Sequence, residues 1–97
     1  PVSAAARPAF DRLAAMMRHV VTRGTAQGAD VRGVTVYGKT GTAEHGGRGG
    51  DHAWFVGFAR HNEPGKQIAF AVIIERGGTG GRVAVPVAAR LLNAWAK

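Results

Sequence analysis

The sequence predicts a mixed α/β (α+β) fold, an antiparallel sheet with helices on its faces. Three observations point there. Apolar residues recur at three- and four-residue spacing near both ends of the chain, which is the helical period. Between those ends lie three runs rich in β-branched and aromatic residues, at about 34–42, 52–60 and 66–75, the composition of strands. The connections between the runs are too short for a parallel crossover, so neighbouring strands run antiparallel.

Residues 1–6 are small and carry little information. Pro8 suits the first turn of a helix, where its missing N–H costs nothing. Phe10, Leu13, Ala14, Met17, Val20 and Val21 then draw one apolar stripe for burial. Asp11 lies near the positive end of this helix, Arg18, His19 and Arg23 near the negative end, and Gly24 can close it in the left-handed conformation. The expected span is about 8–23. Met16 and Met17 read as core filling rather than as an adaptable binding face, and His19 as a partner of the helix dipole rather than a ligand. Residues 24–33, with Gly24, Gly28, Asp30 and Gly33, form a turn-rich connection without a pattern of its own.

In the first strand, alternation sends Lys39 and Thr40 to opposite faces. Both can serve one ligand only along the strand's margin, which predicts an edge strand. The stretch from Glu44 to Asp51 is polar and dense in glycine, hence a loop. The second strand sets Trp54, Val56 and Phe58 on one face and Ala53, Phe55, Gly57 and Ala59 on the other. The third sets Ile68, Phe70, Val72 and Ile74 against Ala69, Ala71 and Ile73. Both faces are apolar in both strands, which predicts a sheet covered on two sides. His61-Asn62-Glu63-Pro64-Gly65 joins these strands as a hairpin. Glycines from Gly77 to Gly81 break the chain, and Pro86 opens a last helix expected to bury Ala84, Val87, Ala88, Leu91 and Trp95, with Asn93 and Lys97 outside.

A chain of 97 residues is at most one small domain and buries a modest core. Without cysteine it has neither a disulfide framework nor a thiolate metal site. It starts at Pro1 rather than methionine, so processing or truncation is expected. Thirteen Lys+Arg against six Asp+Glu give a net charge of +7, but the cations are spread singly along the chain and no aromatic residues interleave with them. That describes a solvated basic surface, and no nucleic-acid partner is expected. No apolar run reaches the ~20 residues that span a bilayer, and no signal-peptide pattern is present, so a membrane anchor would lie elsewhere. Glu44, His45, Asp51 and His52 match no metal-ligand spacing, so neither a metal nor another cofactor is expected.

The stretch from Val34 to Ala43 is where chemistry is expected, because a strand there delivers polar groups among glycines that let a ligand approach the backbone. Gly33, four residues, then Gly38-Lys39-Thr40 satisfies the letter of the phosphate-binding pattern G-x-x-x-x-G-K-[ST]. Its physical context is missing. Val34-Thr35-Val36-Tyr37 is strand rather than anion-binding loop, and the glycine-rich residues after Thr42 cannot form the required helix.

Lys39-Thr40-Gly41-Thr42-Ala43-Glu44 instead resembles the KTGTA(E) box of the penicillin-binding proteins, the serine D,D-transpeptidases, and their β-lactamase relatives. Upstream, residues 17–26, ending in Gly24-Thr25-Ala26, resemble the helix end and "GTA" turn that precede the box in the high-molecular-weight enzymes. Downstream, residues 52–59 resemble their next strand. The resemblance covers nearly the whole chain and implies the C-terminal segment of a class B-like transpeptidase domain, with residues 1–97 incomplete on their own. Those enzymes need a nucleophile in S-x-x-K and a second serine in S-x-N. Here Ser3 is the only serine, and Ala6 stands where the lysine of S-x-x-K would be. The resemblance therefore implies that both motifs lie in the remainder of the same domain.

It also implies roles. Lys39 would be the cation that raises the local potential for an anionic substrate and eases loss of a proton from the absent serines. Thr40 would hydrogen-bond the substrate's terminal carboxylate, Gly41 would let substrate backbone lie against the strand, and the Thr42 N–H would join the oxyanion hole. The implied partners are a peptidoglycan stem peptide, added along the edge as a strand, and β-lactam antibiotics. The implied location is the outer face of the cytoplasmic membrane, held by a segment not in this chain. His45, Arg48 and Asp51 would shape access. The residues alone leave other readings open: Lys39 as an edge lysine that discourages aggregation, a non-catalytic scaffold, or a basic nucleic-acid module whose affinity falls steeply with salt.

Overall fold

The computed structural model describes residues 3–43, 51–75 and 78–97. Within them the chain runs α1 (Arg7–Thr22), a 3-10 turn (Gln27–Ala29), β1 (Val34–Ala43), β2 (His52–His61), β3 (Gln67–Ile74), a π-helical turn (Gly80–Ala84) and α2 (Val85–Ala96). Each predicted helix or strand is present, and α1 and the three strands end within one residue of expectation. The strands form one antiparallel sheet in the order β1-β2-β3, with Val36 opposite Ala59 and Phe55 opposite Val72. Among the described residues β1 is an edge, as the alternation at Lys39 and Thr40 predicted. The hairpin joining β2 and β3 turns through Gly65, whose φ of 83° is one that side chains rarely allow.

The core lies on one face of the sheet. Val34 and Val36 of β1, Ala53, Phe55 and Ala59 of β2, and Phe70 and Val72 of β3 pack with Val85, Ala88 and Leu92 of α2. The connection between α1 and β1, which has no pattern in the sequence, adds Ala26, Ala29 and Val31 to that core. Two of the three are alanines, and small side chains let the 3-10 turn come close enough to seal it.

The buried stripe of α2 differs from expectation. Val85 and Leu92 are buried, whereas Val87 and Leu91 are 43% and 47% exposed. This helix is apolar nearly all round, so its period admits two adjacent stripes and packing chooses between them. Trp95 is half-buried against the core, as expected of an anchor, with the Lys66 ammonium 5.4 Å above its ring. His61 ties the end of β2 to the last turn of α2. Its Nδ1 accepts the Glu63 N–H at 2.9 Å, so Nε2 carries the proton and donates to the Ala96 carbonyl at 2.7 Å. One of the orphan carbonyls of the helix end is thereby satisfied.

α1 departs from expectation in four places. Only Val21 of the predicted stripe is fully buried, while Leu13 is 53% exposed and Met16, read as core filling, is 67% exposed. Gly24 is not left-handed; its N–H closes the helix on the His19 and Val20 carbonyls, and a Cβ there would come within 2.9 Å of the Val20 Cα. Close approach, rather than a special φ, demands that glycine. Arg18 serves β1 instead of the helix dipole, donating to the Val36 carbonyl at 2.9 Å. Asp11 forms an exposed pair with Arg7 rather than lying in the first turn.

The second face of the sheet is covered in part, not fully as predicted. Phe10 of α1 stacks on Phe58 at 6.3 Å, and Phe58 on Tyr37 at 4.5 Å. Beyond that stack, Val56 and Ile73 stay exposed among the described residues. Substitution of the two neighbouring leucines tests which stripe holds α2. In the complete protein, Leu92→Ala is expected to cost about 2–5 kcal/mol of unfolding free energy and Leu91→Ala less than about 1 kcal/mol. Denaturant unfolding that ranks them the other way would refute this packing.

Candidate active site

The margin of β1 owes its character to strand geometry. In an antiparallel strand the N–H and C=O of one residue point to the same side, and successive residues alternate. The Gly33 carbonyl accepts the Asn62 N–H at 3.0 Å, so it points toward β2. Thr35, Tyr37, Lys39 and Gly41 share its parity. The Val36 carbonyl points the other way, to Arg18 of α1, and Gly38, Thr40 and Thr42 follow it. The backbone groups of Gly38, Thr40 and Thr42 therefore lie along the outer margin, where no fourth strand pairs among the described residues.

The side chains divide as alternation required. Lys39 points to the partly covered face, where Leu13, Met16, Met17, His19 and Val20 of α1 and Val56 of β2 enclose with it a cleft of about 620 Å³. Thr40 points to the core face and is the one buried polar residue among the described residues. Its hydroxyl lies 2.5 Å from that of Thr25, in the turn after α1. The two sides meet at the margin, where the Lys39 ammonium donates to the Thr40 carbonyl at 2.9 Å. An ammonium has three protons, so two remain for other acceptors.

Gly41 is needed for a local reason. A Cβ there would overlap the indole of Trp54, its partner across β2, so the absent side chain makes room for that ring. Thr42 is exposed, with its N–H on the outer margin. Glu44, His45 and Arg48 lie outside the described residues. Asp51 is half-buried and its carbonyl accepts the Gly78 N–H at 3.1 Å.

The structure thus brings Lys39, Thr40 and Thr42 to one strand margin and gives Gly41 to Trp54. It adds Thr25, which the sequence reading treated only as part of a connecting turn. The signal was the Gly24-Thr25-Ala26 triplet itself, but nothing in the spacing reveals a contact made 15 residues further on.

This lysine and these threonines lie on the edge strand of a three-stranded antiparallel sheet that α1 precedes and α2 follows in sequence. The model of the penicillin binding protein transpeptidase domain matches residues 6–93, and the chain belongs to that family. It is 41% identical over 71 residues to the peptidoglycan D,D-transpeptidase PbpA of Mycolicibacterium smegmatis, covering 65% of this chain and 14% of that protein. PbpA of Mycobacterium tuberculosis is 38% identical over 72 residues, covering 66% and 14%. Among solved structures, the D,D-transpeptidase domain of a peptidoglycan glycosyltransferase from Eggerthella lenta superposes with a TM-score of 0.65 at 34% identity, over 86% of this chain and 19% of that one. The chain therefore spans about one seventh of these curated relatives.

The contact between Gly41 and Trp54 is open to a double-mutant cycle in the complete protein. Gly41→Ala is expected to destabilise by about 1–3 kcal/mol through overpacking. Trp54→Ala should relieve that penalty, giving a coupling of at least about 0.5 kcal/mol in the cycle. Strict additivity would separate the two residues.

Proposed function

We propose that this chain is the C-terminal segment of a peptidoglycan D,D-transpeptidase domain and forms one side of a serine acyl-transfer site. The parent enzyme cross-links stem peptides and is acylated by β-lactams. The observation that carries the reading is the outer margin of β1, with Lys39, Thr40 and Thr42 along it, in a chain of this family. The nucleophile of S-x-x-K and the serine of S-x-N come from the remainder of the same domain.

The roles follow from chemistry. The protons of the Lys39 ammonium not used on the Thr40 carbonyl are available to serine oxygens, and the charge favours loss of a serine proton as well as an anionic substrate. Thr40 donates its hydroxyl proton to the terminal carboxylate of the peptide or the β-lactam. The Thr42 N–H is one donor of the oxyanion hole, and the nucleophile's own N–H is the other. An extended peptide adds along Gly38 to Thr42 as a further strand, so its main chain is paired while its terminus is held.

The site of action is the outer face of the cytoplasmic membrane, where the cell-wall substrate lies, with an anchor outside this chain. No helix among the described residues is long and apolar enough to cross a membrane. Fluorescent penicillin labelling of the complete protein tests the assignment. Lys39→Ala and Thr40→Ala are each expected to slow acylation by ~10²-fold, the usual scale for losing one group that stabilises developing charge. Unchanged rates in both would refute these roles.

A further inference from the structure

We propose that Thr25 is a positioning residue that fixes the direction of the Thr40 hydroxyl proton, making Thr40 a committed donor to a ligand carboxylate. The inference rests on the reading of Thr40 given above, and it concerns a residue on a different element.

The two hydroxyls lie 2.5 Å apart, a short hydrogen bond. Each hydroxyl has one proton to give and lone pairs with which to accept. If Thr40 gave its proton to Thr25, it would present only lone pairs to an incoming carboxylate and would repel it. When Thr40 donates to the carboxylate, its bond to Thr25 survives only with Thr25 as donor. The working order is therefore Thr25 O–H to Thr40 O–H to carboxylate, and polarisation along such a chain strengthens the outer bond. Thr40 is buried on the core side of the sheet while Thr25 is exposed, and the Thr25 hydroxyl is the one side-chain partner of the Thr40 hydroxyl among the described residues.

The position of Thr25 is held independently of Thr40. Gly24 anchors the turn to the end of α1, and the Ala26 N–H donates to the Val20 carbonyl at 3.1 Å with Ala26 fully buried. From the other side, the π-helical turn presses Gly81 against Thr25, where a Cβ would lie 2.8 Å from the Thr25 carbonyl oxygen. Two glycine contacts and one buried alanine thus seat a hydroxyl whose bond spans 15 residues. This gives a purpose to glycines in both turns that the strand itself does not use.

The test compares a β-lactam bearing its free carboxylate with the methyl ester of the same compound, using the complete transpeptidase that contains this chain. The ratio of their acylation efficiencies reports carboxylate recognition, whereas general damage to the fold lowers both and leaves the ratio unchanged. Thr25→Val, nearly isosteric but without a hydroxyl, is expected to reduce the acid-to-ester ratio ~10-fold, acting on the half-saturating concentration more than on the limiting rate. Thr25→Ser should keep the ratio within about twofold of the parent, since it keeps the donor. A Thr25→Val protein with an unchanged ratio, or a Thr25→Ser protein as impaired as Thr25→Val, overturns the proposal. Thr40→Val identifies the level of failure: if it too leaves the ratio intact, carboxylate recognition by Thr40 is wrong and the role of Thr25 falls with it.

Discussion

A strand with a neighbour on one side only leaves half of its backbone groups without a sheet partner, and everything at this site depends on which half. Parity decides it. Asn62 and β2 claim the odd residues of β1, so Gly38, Thr40 and Thr42 turn outward. A slip of one residue in the register between β1 and β2 would exchange the two sets. It would also drive Lys39 into the core and lift Thr40 onto the other face. The packing of Val34 and Val36 with Phe55, Ala59 and α2 excludes that slip, because lysine would have to replace threonine among apolar side chains. The hydrophobic core thus selects which N–H groups a ligand can meet.

The same constraint explains the one buried polar residue among the described residues. A buried hydroxyl without a partner costs on the order of 1–3 kcal/mol, more than a marginally stable small fold can spare at many positions. Thr40 is relieved by Thr25, which the chain brings back from the end of α1. Stability and orientation are served by one bond. Satisfying the group from a turn rather than from the sheet leaves the backbone of Thr40 facing outward.

Most of this architecture was legible in the sequence, for reasons that differ by element. The strands were plain because β-branched and aromatic residues alternate over eight to ten positions, and the edge followed from a lysine and a threonine adjacent in one strand. The family was plain from Lys39-Thr40-Gly41-Thr42 in its flanking context. The buried side of α2 was not, since Val87, Leu91 and Leu92 are equally apolar and only contact with Phe55 and its neighbours distinguishes them. The reach of Arg18 to Val36, the Trp54 ring over Gly41 and the Thr25 hydroxyl were hidden for a shared reason. Each is a tertiary contact made by a residue whose local sequence has a sufficient alternative role: dipole partner, sheet face or turn former.

Two cations then manage an edge that is at once a hazard and a tool. An unpaired strand margin invites pairing with any extended chain. Arg18 occupies the Val36 carbonyl and is itself steadied by Asp30 at 3.4 Å, which closes the first half of β1 to a further strand. Lys39 lies further along, on the Thr40 carbonyl, but through a flexible stem rather than a planar fork. A guanidinium held by a carboxylate is a fixed stop; an ammonium with two spare protons can stay on its carbonyl or follow an incoming anion. The open part of the margin therefore begins at Gly38 and runs through Thr42, so that β1 is blocked where it packs beside α1 and available where the polar residues lie.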